Sequence, residues 1–379
     1  MIAMTARLLL LAPALASSIA IYPRTGGRGQ SASLMDQVNR KVLMCLGRGD
    51  ERVDKFLSQC KACQLYGTDV PRLYITEGVD GLGSRFHEFI AGMAMAAHAQ
   101  MAFGGIIVGP KVCQQSHALD ILQAVSTFFN IKDPNLMLTT HDPGFSQTHP
   151  TFMAFEKTMA KYGRPRPKLS NILIPSHCLA CELDQRGNAS SWYTPKLLHA
   201  LRKLFKWRRP LAFKTGITSI AIHVRRGDVN EDTSSRYVSD DWYFSLIAQL
   251  SKMYAPSADI HVFSSLEGTW NSADFDGYRK RGATVHLDGD PMEVWAHFVA
   301  ADVLVMAKSS FSHVPAMLND NCVVYQKYWH LPLDGWVRAQ ANDSAPLDAG
   351  ASEALGRCVA SKAGRRPRCA QGSSIGACT

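Results

Sequence analysis

Between residues 219 and 318 the chain alternates short apolar, β-branched runs with amphipathic stretches, and this alternation restricts its fold more than any other feature. Strands are predicted at Ser219–Arg225, Asp259–Phe263, Ala283–His286 and Asp302–Met306. Between and after them lie predicted helices at Asp240–Tyr254, carrying Trp242, Phe244, Leu246 and Leu250, at Met292–Ala300, and at Phe311–Leu318. Strand–helix alternation of this kind builds a parallel sheet with helices on both faces. A second unit lies upstream. Arg72–Thr76 reads as a strand, Ser84–Met101 as a helix with Phe86, Phe89, Ile90, Met93 and Ala97 at helical spacing, and Gly105–Gly109 as the next strand. The chain is therefore expected to be α/β, with two Rossmann-like, doubly wound domains at residues 72–208 and 209–340. They would join near Lys206–Lys214 and face each other across a cleft.

At 379 residues the chain is long enough for two ordinary domains, and 46% hydrophobic with 19% charged residues excludes a disordered one. The net charge of +9 has part of its excess in Gly364-Arg-Arg-Pro-Arg368, and no basic run is interleaved with aromatics. Nucleic acid is accordingly not expected as a partner. Arg7 followed by an apolar stretch from Leu8 to Tyr22, with Ala14-Leu-Ala16 as small residues, has the pattern of a secretory signal peptide over residues 1–22. An uncleaved membrane anchor is the alternative. Residues 23–71 read as an N-terminal segment with a linker, and 341–379 as a low-complexity tail. In a secretory-pathway lumen (ER or Golgi) or outside the cell, the ten cysteines are expected to form disulfides. Cys60-x-x-Cys63 and Cys178-x-x-Cys181 also have the spacing of a four-thiolate zinc site. Cys358, Cys369 and Cys378 can pair among themselves or with the body, and sequons at Asn188 and Asn342 agree with the same route.

The chemistry is concentrated where predicted strands end. The strand Ser219–Arg225 runs into Arg225, Arg226, Gly227 and Asp228. Ligand sites in open α/β sheets lie at the carboxyl ends of strands. An arginine there offers a planar, permanently charged fork matched to phosphate oxygens, and Gly227 permits a close backbone approach. A solvated strand end with an Arg–Asp surface pair is the plain alternative. Gly81-Leu-Gly83-Ser-Arg85 is a small-residue turn opening a helix, and Lys308-Ser309-Ser310-Phe311-Ser312 lies at the mouth of another. Helix N-termini, hydroxyls and Lys308 together can cradle a diphosphate, although serines there also serve simply as caps.

His223-Val-Arg-Arg-Gly-Asp228, followed by Ala301-Asp-Val-Leu-Val-Met-Ala-Lys-Ser-Ser-Phe-Ser312 and preceded by Gly81-Leu-Gly-Ser-Arg85, resembles the GDP-fucose-dependent fucosyltransferases. That superfamily includes the α1,2-, α1,6- and protein O-fucosyltransferases, and the resemblance spans roughly residues 72–330. It implies a GT-B-like fold and metal-independent, inverting transfer of L-fucose from GDP-fucose to a hydroxyl of a glycan or glycoprotein. No cofactor is implied beyond this donor substrate. Arg225 would bind the β-phosphate, His223 and Arg226 would support the diphosphate, and Ser309, Ser310 and Phe311 would hold phosphates or guanosine. Asp288-Gly-Asp290 is the nearest approach to an acidic metal motif. Inversion requires one carboxylate as general base. The α1,6-type pattern would put a Glu at the position of Thr233, so Glu231 and then Asp232 are the candidates. Asp228 is expected to orient an arginine, and Glu293 and His297 are candidate guanine contacts. Another nucleotide-sugar-dependent GT-B glycosyltransferase, or a secreted pseudoenzyme that binds nucleotide or glycan, are the competing readings. Acceptor identity and oligomeric state are not encoded in these motifs.

Overall fold

The computed structural model describes residues 54–363 except 56, 67–68, 77–79, 108–117, 133–137, 140–144, 164–170, 176–177, 206, 208, 210, 233–234 and 257. The expected signal segment and linker, Thr233, Cys369 and Cys378 lie outside the described residues. Two all-parallel sheets organise the chain. The first, in spatial order β3-β2-β1-β5-β4, is built from β1 (Arg72–Thr76), β2 (Ala102–Ile107), β3 (Leu138–Thr139), β4 (Phe145–Thr148) and β5 (Asn171–Ile174). The second runs β11-β10-β9-β6-β7-β8, with β6 (Thr218–His223), β7 (Ala258–Ser264), β8 (Thr284–Leu287), β9 (Val303–Val305), β10 (Cys322–Tyr325) and β11 (Val337–Arg338). Counted from β6, that is the order 3-2-1-4-5-6 of the dinucleotide-binding fold, so its topological switch point lies between β6 and β9.

The central strands read as continuous apolar runs because both faces are covered. Ser219 through His223 are all buried in β6, as are all three residues of β9. β6 pairs with β9 through Ile220–Val303, Ala221–Leu304 and Ile222–Val305. In the first sheet, β2 begins at Ala102, ahead of the predicted start at Gly105. The reason is local: a Cβ on Gly104 would stand 2.5 Å from the Tyr74 ring, and the β1–β2 register shifts at that point. Only glycine lets β2 pass the ring.

The helices that position the site are α1 (Leu82–His98), α2 (Ala118–Phe129), α3 (Phe152–Tyr162), α4 (Leu179–Gln185), α5 (Ala189–Trp192), α6 (Pro195–Leu204), α7 (Asp240–Met253), α8 (Asp276–Arg279), α9 (Pro291–Ala300) and α10 (Ser310–Leu318). The start of α7 shows why they form where they do. Ser239 accepts from the Trp242 amide at 3.2 Å, Asp240 and Asp241 occupy the positive first turn, and Trp242, Tyr243, Leu246, Ile247 and Leu250 face inward. One core continues across both halves. Phe86 of α1 packs on Trp295 of α9 at 5.5 Å between centroids, and Trp295 packs on Phe311 of α10 at 5.5 Å.

Residues 341–363 are not a tail. They carry α11 (Ala349–Ala363), whose Leu355 is fully buried and whose Cys358 is bonded to Cys322 of β10. Alanine-rich composition suits a helix as well as a linker, and Ala351, Ala354, Cys358 and Val359 recur at helical spacing against the second core. Cys60–Cys63 and Cys178–Cys181 are disulfides, so neither pair is available as zinc thiolates. Among the described residues no helix is long and apolar enough to cross a membrane.

Candidate active site

The β6–β9 switch point places one guanidinium against one helix N-terminus. Arg225, two residues beyond β6, is gripped in the fork of Asp228: Nε donates to Oδ1 at 3.2 Å and Nη2 to Oδ2 at 2.7 Å. Its remaining nitrogen, Nη1, crosses the switch point and donates to Ser309 Oγ at 3.0 Å. Ser309 is the N-cap of α10, and its Oγ also accepts from the Phe311 amide at 3.2 Å. The Arg225 guanidinium, paired with Asp228, and the positive end of α10 thus meet at one spot, an arrangement that suits an anion, and Lys308 precedes the cap in sequence. Burial lowers the Lys308 amine below its ordinary value. The Asp228 carboxylate that makes both contacts with Arg225 is itself largely exposed.

Gly227 permits this geometry in two ways. Its φ is +70°, and a Cβ would stand 2.8 Å from Ser265 Oγ in the loop after β7. Gly268 in that loop would in turn meet the Gly227 carbonyl at 2.8 Å. The loops following β6 and β7 are thus in backbone contact.

The glycine turn of the first half arrives at the same place. A Cβ on Gly83 would lie 2.3 Å from the Phe311 amide nitrogen and 2.6 Å from the Ser310 carbonyl carbon. The first turns of α1 and α10 are in backbone contact there, with no cleft between them at this point. No side chain caps α1 at Gly81. Arg85 does not reach a rim; it is 2% exposed, rotated inward with Phe86.

His223 ends β6 inside this region. Its ring lies 5.5 Å from that of Phe311 and 5.6 Å from that of Phe298, and its Nδ1 is buried without a hydrogen-bond partner. Burial and then the neighbouring Arg225 charge hold its pKa down at about 3, so the imidazole is neutral. Buried ring nitrogens are ordinarily hydrogen-bonded, so His223 Nδ1 stands out as an exception.

Several expected contacts are corrected. Arg226 is 2% exposed and turned away from Arg225's partners. Its guanidinium donates to the carbonyls of Arg225 and Val238, pairs with Asp240 at the start of α7, and stacks 4.7 Å from the Tyr237 ring and 4.9 Å from Trp270. It braces the fold and does not join a second guanidinium to the site. Ser312 is fully buried and returns its hydroxyl to the carbonyls of Ala307 and Ser309. His297 bridges backbone groups, its Nδ1 donating to the Glu293 carbonyl and its Nε2 accepting from the Ala212 amide. It is spent on structure, whereas Glu293 is half-buried in the first turn of α9. Asp288 accepts from the Leu266 amide and Asp290 caps α9. Glu231 and Asp232 stand exposed on a turn, and Glu231 is hydrogen-bonded with the Tyr237 phenol.

Two features went unread in the sequence. One is a buried imidazole cluster next to Ser310, formed by His87 of α1, His313 of α10 and His330 after β10. Its ring centroids lie 4.4 to 5.3 Å apart. Ser310 Oγ lies 3.3 Å from His330 Nε2, and His330 Nδ1 donates to Asp184 Oδ2 at 2.7 Å. His87 Nε2 meets the Tyr193 hydroxyl at 2.9 Å. The other is Trp329, exposed beside Arg236. The aromatic run Tyr328-Trp-His330, three residues past the end of β10, was the signal for Trp329 alone. A separate cavity of about 410 Å³, lined by Gln59, Lys61, Phe129, Asn130 and Lys203, contains none of these groups.

No protein-family model matches the chain, and no curated protein sequence matches it. Among solved structures it is similar to E. coli heptosyltransferase WaaC with ADP-2-deoxy-2-fluoro heptose, at 11% identity over 77% of this chain and 100% of that one, with a TM-score of 0.36. It is similar also to POFUT1 in complex with GDP-fucose, at 11% identity over 68% of this chain and 96% of that one, with a TM-score of 0.33. An α,α-trehalose-phosphate synthase from Burkholderia xenovorans follows at 13% identity, 76% and 64% coverage, and a TM-score of 0.28.

Proposed function

We propose that the chain is a glycosyltransferase that moves L-fucose from GDP-fucose to a hydroxyl of a glycan or glycoprotein, with inversion and without a metal. The observation that carries this reading is the Arg225 guanidinium, oriented by Asp228 and laid across the switch point onto the N-cap of α10. Cleaving the bond between the sugar's anomeric carbon and the phosphate oxygen leaves negative charge on the departing nucleotide. Charge held by a fixed guanidinium and a helix N-terminus accelerates the step, because it appears only as the bond breaks. Neutral His223 offers its unpartnered Nδ1, and Ser310, Phe311 and Lys308 border the same spot. Glu231, or else Asp232, takes the acceptor proton as general base, and the acceptor oxygen then forms the new bond on the face opposite the leaving phosphate. The resemblance of the His223–Asp228 and Ala301–Ser312 stretches selects GDP-fucose among nucleotide sugars. The three disulfides among the described residues and the exposed sequons at Asn188 and Asn342 support placement in a secretory lumen or outside the cell.

A second reading, a nucleotide- or glycan-binding protein without turnover, is favoured by one observation. Glu231 is engaged with Tyr237, while Thr233 stands where the α1,6-type pattern has its Glu. Purified protein incubated with labelled GDP-fucose and an acceptor panel separates the two, with GDP release and product as readouts. Transfer that survives chelator and is lost in Arg225→Ala is the expected result. GDP binding without turnover selects the second reading, and equal turnover by Arg225→Ala removes the first.

A further inference from the structure

Among the described residues, the exposed large apolar side chains are Tyr66, Met153, Tyr162 and Trp329, and Trp329 is the one linked to Arg225 through charged contacts. The Arg236 guanidinium lies over one face of the Trp329 ring, 5.3 Å from its centre, and Arg236 Nη1 stands 3.9 Å from the Asp228 carboxylate that grips Arg225. Trp329 sits in the segment that leaves the carboxyl end of β10, on the same edge of the sheet as Arg225 and Ser309. The indole is 42% exposed, yet both neighbours in sequence are anchored. Tyr328 is hydrogen-bonded with His313, and His330 with Asp184, whose other oxygen accepts from the Leu331 amide at 3.1 Å. Three residues on, the Asp334 amide donates to Ser190 Oγ at 2.8 Å. An apolar ring is thus held out into solvent by a segment tied to both halves.

We propose that Trp329, flanked by Arg236, is the platform on which this site seats the pyranose ring of its acceptor saccharide. The inference rests on the glycosyltransferase reading and names the substrate class of the same site. A pyranose presents a face of C–H groups that packs against an aromatic ring, and its rim of hydroxyls needs donors beside that ring. Arg236, seated over one face of the ring, leaves the opposite face to the sugar and presents its planar fork of donors at the rim. A rigidly held indole loses little conformational freedom when a ligand covers it, which is why such rings dominate the energetics of contact surfaces. Arg236 is itself 44% exposed, so its donors are available to a ligand.

The test measures saccharide and nucleotide binding separately on the full chain. Lactose, N-acetyllactosamine and chitobiose are titrated by saturation-transfer NMR, and GDP by calorimetry, against wild type, Trp329→Ala and Trp329→Phe. The expected result is saturation of ring C–H protons of at least one saccharide, weakened about tenfold or more in Trp329→Ala, largely kept in Trp329→Phe, with GDP affinity unchanged. Failure of all three saccharides to bind wild type, or equal binding by Trp329→Ala, overturns the platform. So does a loss of GDP affinity with saccharide binding intact, because the ring would then be seating the base. GDP affinity in Arg225→Ala, measured alongside, tests the glycosyltransferase reading independently, so the two ideas fail by different signals.

Discussion

Gly83 and Phe311 meet backbone to backbone: the side chain that glycine lacks would begin 2.3 Å from the Phe311 amide nitrogen. The contact joins the start of α1 to the start of α10, and so joins the first half of the chain to the helix that carries Ser309 and Ser310. Backbone atoms cannot rotate aside as a flexible side chain can. Gly83→Ala is therefore expected to part the two helix ends, destabilising the protein by at least the about 1–3 kcal/mol typical of overpacking. It should also weaken GDP binding, because Ser309 and Arg225 lose register. Gly81→Ala is the control, since a Cβ there meets nothing within 4 Å. Urea unfolding and GDP titration of both variants check the contrast; equal behaviour would show that the contact yields.

Arg225 and Arg226 should separate cleanly into function and stability. Arg225→Ala removes a partly exposed pair with Asp228, and pairs of that kind contribute about 0–1 kcal/mol. Its effect should fall on turnover, about 100- to 1,000-fold, as for loss of one donor to charge developing in a transition state. Arg226→Ala takes the charge partner from Asp240, which keeps the Tyr278 hydroxyl, and empties the space between Tyr237 and Trp270, at a cost of about 3 kcal/mol. Thermal unfolding with donor turnover distinguishes them. A folded, inactive Arg226→Ala with an active Arg225→Ala would reverse the assignment.

That contrast also shows how far the sequence could be read. The strands around Ile220, Val262 and Leu304 were legible because a parallel sheet buries both faces, and buried strands are written in β-branched and apolar runs. Arg225 and Arg226 look alike as letters. Successive side chains leaving a strand point to opposite sides, so only one of the two faces the switch point. Which one it is depends on Asp240, Tyr237 and Trp270, whose approach is set by the fold and not by local spacing. The imidazole cluster was hidden for the same reason: His87, His313 and His330 come from separate segments and converge only when α1 meets α10. Helix α11 was hidden differently. Its alanines and serines suit a linker as well as a helix, and it is the packing of Ala351, Ala354, Leu355, Cys358 and Val359 on the second core that shows one face is covered.

The Cys322–Cys358 bond ties α11 to β10 across 36 residues of sequence. Loop-closure entropy for that span corresponds to about 3–4 kcal/mol. The Cys322→Ala, Cys358→Ala double variant should lose a comparable amount of stability and expose α11 to protease while sparing the Arg225–Ser309 contact. Limited proteolysis with mass analysis and a GDP titration read both effects. An uncleaved α11 would show that the packing of Leu355 is sufficient by itself.

Acid should loosen the junction between the halves. Burial, and then the charges of His330 and His313, push the His87 imidazole well below its ordinary value, and burial and then His330 do the same to His313. In the unfolded chain both rings take up protons near pH 6.5. The folded state refuses them until far lower pH, so the unfolded state binds more protons throughout the interval. Stability from these groups is fully present above about pH 6.5 and is lost as pH falls below it. Melting temperature should therefore decline from pH 7.5 to 5.5, with a shallower slope in His313→Phe. In that variant the ring stack with His87 persists without a titrating nitrogen, so an unchanged slope would mean that the acid sensitivity arises elsewhere.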